Sequence, residues 1–411
     1  MSAVNFIKKA VNLSPGLKEV CVRTYECYRS GRYWLYTLRY PVEPETIVFE
    51  AYKGTSYADS PKALYEAMCR EPGYQSYKKI WMFCEPEKYA FLKENPGTEV
   101  VKYGSGEYYQ CYARAGMWIT NYLCEYGIRK RPGQIYVQTW HGTPLKKIGC
   151  DVSRAGLPET ERKRTYHKYE REGKAIDYLP SPSDFYTEKI KSAFLLGAQA
   201  NILQYGYPRN DTLFAADADR ISDIRRKLEI PEEKKAILYA PTWRDDQHTP
   251  GVGYTYEPGL DFEKLMEKLG EEYVVLFRAH YLVSSRFDFE KYQGFVRDVS
   301  KYDDINELYL ASDMLVTDYS SVFFDYANLR RPILFYMYDY EEYKGELRDF
   351  YFDVDVLPGP VIKERQDISG DIRELTEHFV YDKKYAKFNA KFNPVTLPCS
   401  ERILEEIMTS G

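Results

Sequence analysis

Short apolar runs alternate with amphipathic stretches along most of the chain, and that alternation predicts its elements. "ETIVFEAYKG" is rich in β-branched and aromatic residues and stops at Gly54, as a buried strand does. "SYADSPKALYEAMCR" follows with a polar cap, an early Pro61 and helical periodicity. "KKIWMFCEP" and "TEVVKYG" predict a second and a third strand. "GEYYQCYARAGMWIT" predicts a helix and then a strand, and "GQIYVQTWHGT" continues the alternation. "IDYLPSPSDFYTEKIKSAFLLG" reads as strand, Pro-Ser turn and helix, and "NILQYGYPRNDTLF" as a strand entering a turn marked by Gly and Pro. After the charged helix "DADRISDIRRKLEI" the pattern restarts. "KAILYAPTWRD" is a strand, "FEKLMEKLG" a helix and "EYVVLFRAH" a strand; "DINELYLASDMLVTDYSSVFFDYANLRRPILFYM" gives helix, strand, helix, strand. A last amphipathic segment, "ERILEEIM", is expected to fold back as a helix.

Strands alternating with helices imply parallel sheets wound on both faces. The chain is therefore expected to be α/β, with two doubly wound, Rossmann-like domains facing across a cleft. The expected divisions are an appendage at 1–45, a first domain at 46–205, a second at 206–380 and a helical tail at 381–411. A length of 411 residues suits two such cores. Ligands of folds like this sit at the carboxyl ends of the strands.

Composition changes the picture in three places. The net charge of −5 argues against wholesale nucleic-acid binding, yet residues 126–174 carry 12 Lys/Arg against 5 Asp/Glu, and residues 1–42 carry 7 against 2. Such local excess suits a polyanionic acceptor or an anionic membrane surface. "FIKKAVNL" and "YWLYTLRYPV" mix apolar, aromatic and basic residues, as surface-lying segments do; no run of 18 apolar residues appears, and no signal peptide is expected. The eight cysteines form no CxxC pair, which signals neither zinc nor a redox motif and reads as a reducing, cytoplasmic setting. The 41 tyrosines suit half-buried surfaces and interfaces with sugars or membranes.

No GxGxxG follows the first strand and no P-loop is present. Four groups of polar residues instead fall at predicted strand ends. In "QTWHGTPLKKIG", Thr143 as N-cap and Pro144 in the first turn predict a helix start, which would put His141 beside a positive helix end. "PTWRDD" brings Thr242 and Arg244, "FRAH" brings Arg278 and His280, and "TDYSS" brings Asp318, Ser320 and Ser321. These residue types suit transfer of a phosphate-containing group. Hydroxyls and amides before a helix cradle an anion, arginine neutralises diphosphate oxygens, and histidine exchanges a proton near neutral pH. Two histidines on opposite walls can divide the work: one takes the acceptor's proton, the other stabilises the phosphate or the leaving group. No His/Cys/Asp cluster has metal-ligand spacing, so no metal and no cofactor are expected.

The motifs "SYADSPKALYE", "QTWHGTPLKKIG", "YGYPRND", "YAPTWRDD", "FRAH" and "ASDMLVTDYSSVFFDYANLRRPILFY" occur in one order over roughly residues 46 to 345. In this they resemble the CDP-glycerol:glycerophosphotransferases that build wall teichoic acids and related capsules. The resemblance implies a GT-B-like fold, a CDP-alditol donor and a lipid-linked anionic glycopolymer as acceptor. It implies attack of an acceptor hydroxyl on the glycerol-bearing phosphate, with CMP leaving, and a peripheral enzyme on the cytoplasmic face of the membrane. It maps the essential histidines to His141 and His280, and donor contacts to Arg278, Asp318, Ser320 and Ser321. Thr242 and Arg244 are expected beside the donor, and Gly142, Thr143, Lys146 and Lys147 on the acceptor side. The short N-terminal region resembles the members that include single-unit primases. A CDP-ribitol donor, a GT-B glycosyltransferase using a nucleotide sugar, and an inactive glycopolymer-binding module are the alternatives.

Overall fold

The computed structural model describes residues 15–152, 159–242, 248–249, 253–254, 259–279, 288–342 and 350–409. Arg244, His280 and residues 1–14 of the basic N-terminal segment lie outside them.

The first sheet holds β1 (Glu43–Glu50), β2 (Lys78–Phe83), β3 (Thr98–Lys102), β4 (Ala115–Thr120), β5 (Ile135–Gln138), β6 (Tyr178–Pro180) and β7 (Asn201–Leu203). Its order is β3-β2-β1-β4-β5-β6-β7, and every pair is parallel. The second holds β8 (Lys235–Ala240), β11 (Tyr273–Phe277), β12 (Val296–Asp298), β13 (Met314–Thr317), β14 (Ile333–Tyr336) and β15 (Val361–Ile362), in the order β12-β11-β8-β13-β14-β15, again all parallel. β9 (His248–Thr249) and β10 (Gly253–Tyr254) form a small antiparallel hairpin.

Both sheets are covered on both faces, so their central strands are apolar throughout rather than alternating. In β1, Ile47 and Phe49 join one core cluster with Leu64 and Trp81, while Val48 joins the other with Ile80 and Trp118. The strand order reverses between β1 and β4 and between β8 and β13, and a crevice opens beside the strand ends at each reversal.

Tyrosine is used differently from the surface role its abundance suggests. Tyr65, Tyr108, Tyr112, Tyr136, Tyr186, Tyr273, Tyr309, Tyr319, Tyr326 and Tyr336 are among the largest fully buried side chains. Several of the buried hydroxyls find partners: Tyr65 pairs with Thr98 at 3.0 Å, and Tyr112 donates to the buried Glu50 at 2.9 Å, whereas those of Tyr108 and Tyr186 have none among the described residues.

The ends of the chain tie the domains together. The helix Lys383–Phe392 packs Tyr385, Phe388 and Phe392 into the second domain's core. The helix Ser400–Thr409 crosses back and buries Ile403, Leu404 and Ile407 in the first domain's. Asp211 caps that last helix, accepting from Cys399 and Ser400 amides at 2.8 and 2.9 Å.

Candidate active site

β5 delivers Thr139, Trp140 and His141 to the rim of the first sheet. Trp140 takes a left-handed conformation (φ 50°), which turns the chain out of the sheet. No helix follows Thr143, contrary to the helix-start signal. Leu145 is drawn into the second domain's core, Tyr351 donates its amide to the Leu145 carbonyl at 2.8 Å, and Lys146 makes a single antiparallel bridge to Phe350. Tertiary anchoring wins over the local signal. His141 therefore gains nothing from a helix end.

Three aromatic rings surround the imidazole. Trp140 stacks on it at 4.1 Å between centroids, Tyr122 lies nearly parallel at 5.7 Å and Tyr52 sits at 5.8 Å. Tyr52 and Tyr122 follow β1 and β4, so the switch point itself supplies the walls. Burial lowers the pKa of His141 to about 4; Asp59 opposes that shift, and Arg209 adds to it. The ring is thus neutral at physiological pH, with one nitrogen free to accept a proton.

The second sheet supplies the facing wall. A cleft of about 400 Å³ is lined by His141, Gly142, Thr143 and Lys146 on one side and Thr242, Arg278, Ser320 and Ser321 on the other. Gly142 meets Ser321 across it: a Cβ on Gly142 would stand 2.9 Å from Ser321 Oγ, and Gly142 has φ 159°. A side chain there would displace the Ser321 hydroxyl.

Arg278 is half-buried at the edge of this cleft. Its Nη1 donates to the carbonyls of Val299 and Tyr302 at 3.1 and 2.7 Å, and no carboxylate pairs with it among the described residues. Burial holds its pKa below the ordinary arginine value. A half-buried guanidinium that faces a cleft and has no ion-pair partner among the described residues is a site for an anion.

Two expected site residues are placed elsewhere. Asp318 is buried and spends one carboxylate oxygen on the amides of Thr242 and Tyr319, at 2.8 and 2.6 Å, so it joins two donor-wall loops and does not line the cleft. Lys147 does not line it either. Thr143 is buried, and its hydroxyl meets that of Tyr207 at 3.4 Å. Tyr52, Tyr122, Asp59 and Arg209 had no expected role. The only sequence sign of Asp59 and Arg209 was their place within "SYADSPKALYE" and "YGYPRND". No group of three or more His, Cys, Asp or Glu suited to a metal ion occurs among the described residues.

The sequence profile of the CDP-glycerol:poly(glycerophosphate) glycerophosphotransferases matches residues 33–409. A teichoic acid poly(glycerol phosphate) polymerase of Staphylococcus epidermidis is 42% identical over 356 residues, 85% of this chain and 48% of the relative. The chain thus spans about half the length of the first curated relatives it matches. A second polymerase of that name, from Bacillus spizizenii, is 36% identical over 90% of this chain and 93% of its own. A poly(ribitol-phosphate) polymerase from the same species is more distant, at 32% over 69% of this chain and 44% of its own. The solved structure of the wall teichoic acid polymerase TagF superposes with a TM-score of 0.83 at 36% identity, covering 100% of this chain and 98% of that one. On profile, identity and fold alike, this chain belongs to the CDP-glycerol:poly(glycerophosphate) glycerophosphotransferase family.

Proposed function

We propose that the protein transfers glycerol phosphate from CDP-glycerol to a hydroxyl of a lipid-linked teichoic acid or capsule precursor, releasing CMP. The observation that carries this is the cleft itself, with a histidine whose pKa burial lowers on one wall and, beside two serines on the other, an arginine with no ion-pair partner among the described residues. The acceptor oxygen bonds to the phosphorus that bears glycerol, and the bond from that phosphorus to the CMP oxygen breaks. His141 takes the acceptor's proton. Arg278, Ser320 and Ser321 hold the diphosphate and the CMP phosphate as charge moves onto it. His280 is proposed to stabilise the phosphate or the departing group from the donor wall, with Arg244 beside the donor. Glycerol is favoured over ribitol because the glycerol-phosphate relatives are the nearer ones.

The acceptor's lipid linkage calls for a membrane-facing surface, and the first described helix supplies one. Pro15–Arg39 docks on the first domain through the buried Tyr33, whose hydroxyl donates to the Arg129 carbonyl, and through Arg29, which pairs with Glu125 at 2.7 Å. Its outward face carries Val20, Tyr28, Trp34, Leu35 and Leu38, each exposed by 58% or more. With the basic residues of the same segment, this face lies on the anionic cytoplasmic surface of the membrane. No described helix is long and apolar enough to cross a membrane.

Incubation with CDP-glycerol or CDP-ribitol and a short lipid-linked acceptor analogue tests the reading. CMP release with a mass gain of whole glycerol-phosphate units is expected, and both should vanish in His141→Gln. Release of UDP or GDP from a nucleotide sugar instead, or CMP release unaffected by His141→Gln, would reject it.

A further inference from the structure

"SYADSPKALYE" and "YGYPRND" bring no residue to the walls of the cleft. Their charged residues meet beneath it. Arg209 Nη1 donates to Asp59 Oδ2 at 3.1 Å, and Nη2 donates to Asp325 Oδ2 at 2.7 Å; none of the three side chains is more than 7% exposed. Asp59 opens the first domain's helix Asp59–Arg70. Asp325 lies in the second domain's helix Val322–Tyr326, directly after Ser320 and Ser321. Arg209 sits in the turn Pro208–Asn210, which follows the last strand of the first sheet.

The turn is clamped from both domains. Arg209's amide donates to Ser60 Oγ at 3.4 Å, Asn210 Nδ2 to Asp325 Oδ1 at 2.9 Å, and Asn306 Nδ2 to Arg209's own carbonyl. The same turn supports the His-Gly-Thr loop. Tyr207, under the Arg209 guanidinium at 4.5 Å, meets Thr143, and Arg209 Nη2 lies 3.7 Å from where a Cβ on Gly142 would stand. Tyr52, which flanks His141, donates its hydroxyl to Asp59. One guanidinium thus connects the first domain's helix, the donor-wall helix and the loop that carries the base. A planar fork can serve two carboxylates at once; a lysine ammonium in the same place cannot reproduce the geometry.

We propose that Asp59, Arg209 and Asp325 form a positioning triad, which sets the register of the two domains and thereby holds His141 against the Ser320–Ser321 wall. The proposal rests on the reading of His141 as proton acceptor. The groups facing His141 are Asp59 and Arg209 by charge and Tyr52, Tyr122 and Trp140 by their rings. Buried ion networks are a poor source of net stability, and fixing register is their best-attested use.

Arg209→Met alone leaves two buried carboxylates and threatens folding, so the decisive variant neutralises all three positions: Asp59→Asn, Arg209→Met and Asp325→Asn together. It is expected to fold and to bind CDP-glycerol, with kcat down about a hundredfold and the donor KM changed by less than about threefold, because misplacement of about 1 Å costs that much. Arg209→Lys should restore only part of the loss. Hydrogen exchange, read without substrate, should show residues 138–145 and 318–326 losing protection while the sheet cores keep theirs. A triple variant that keeps both the wild-type kcat and the protection of those segments would overturn the proposal. If the wild type itself releases no CMP, the functional reading fails, and the exchange experiment still judges the triad as a register device.

Discussion

Two arginines, Arg209 buried and Arg278 half-buried, lie around the same cleft, and their surroundings differ. Arg209 lies beneath it between two carboxylates, and although burial works against its charge, Asp325 and Asp59 hold its pKa above the ordinary value. Arg278 lies on the donor wall, hydrogen-bonded among the described residues to backbone carbonyls, and burial holds its pKa below the ordinary value although Asp304 and Asp303 oppose that shift. The difference separates structure from function. A buried cation that already has its anions organises the protein, whereas one without them waits for an anion from outside. An aligned string of arginines would not tell the two apart.

The largest effect that tests this contrast is on stability. Arg209→Met strands Asp59 and Asp325, and chemical denaturation should show a loss of about 3–5 kcal/mol. Arg278→Met breaks no ion pair, only two hydrogen bonds to carbonyls, so the same measurement should show a loss of about 1–2 kcal/mol, clearly smaller than that of Arg209→Met. Equal losses from both would break the comparison.

Next comes donor affinity. Arg278→Met forfeits charge-assisted bonds of about 1.5–3 kcal/mol, so CDP-glycerol should bind about 10- to 150-fold more weakly by calorimetry. Wild-type affinity in this variant would move the diphosphate away from Arg278. The serine pair should matter less. Ser320→Ala with Ser321→Ala removes two neutral donors at about 1 kcal/mol each, weakening the donor roughly tenfold or more. A loss larger than that of Arg278→Met would reverse the ranking of charge over hydroxyls on this wall.

The smallest effect is on pH. Burial lowers the His141 pKa to about 4 from 6.5. The unfolded chain therefore binds the extra proton first as pH falls, and the stability from keeping His141 neutral is present above about 6.5 and lost on descent toward 4. For turnover, the acid limb of kcat/KM should have its midpoint near 4 and stay flat from about 5.5 to 7.5. A midpoint near 6.5 would mean that the three rings do not desolvate the imidazole in solution.

Much of this was legible before any coordinates. The alternation of apolar runs and amphipathic stretches predicts parallel sheets, and His141, Thr242, Arg278, Ser320 and Ser321 do reach one cleft because each follows a strand by one to four residues. Tertiary contacts altered several local readings. Thr143-Pro144 carries a helix-start signal, but Leu145 is held by the second domain. Asp318 sits in the same motif as the serines, and one of its carboxylate oxygens accepts from the Thr242 and Tyr319 amides. Tyrosine's abundance suggests surfaces, but many of these rings fill the core.

The sequence by itself determined the two α/β domains and the strand-end positions of the polar motifs, because strand period, turn residues and helix periodicity act between near neighbours. Only the tertiary structure decided which of those polar groups face the cleft and which are already satisfied. Arg209 finds Asp59 150 residues away and Asp325 116 residues away, whereas among the described residues Arg278 hydrogen-bonds only to backbone carbonyls, and Asp303 and Asp304 act on it through space alone. Coulomb energy and hydrogen-bond satisfaction depend on distances of a few ångströms across the fold, and separation along the chain carries no trace of them.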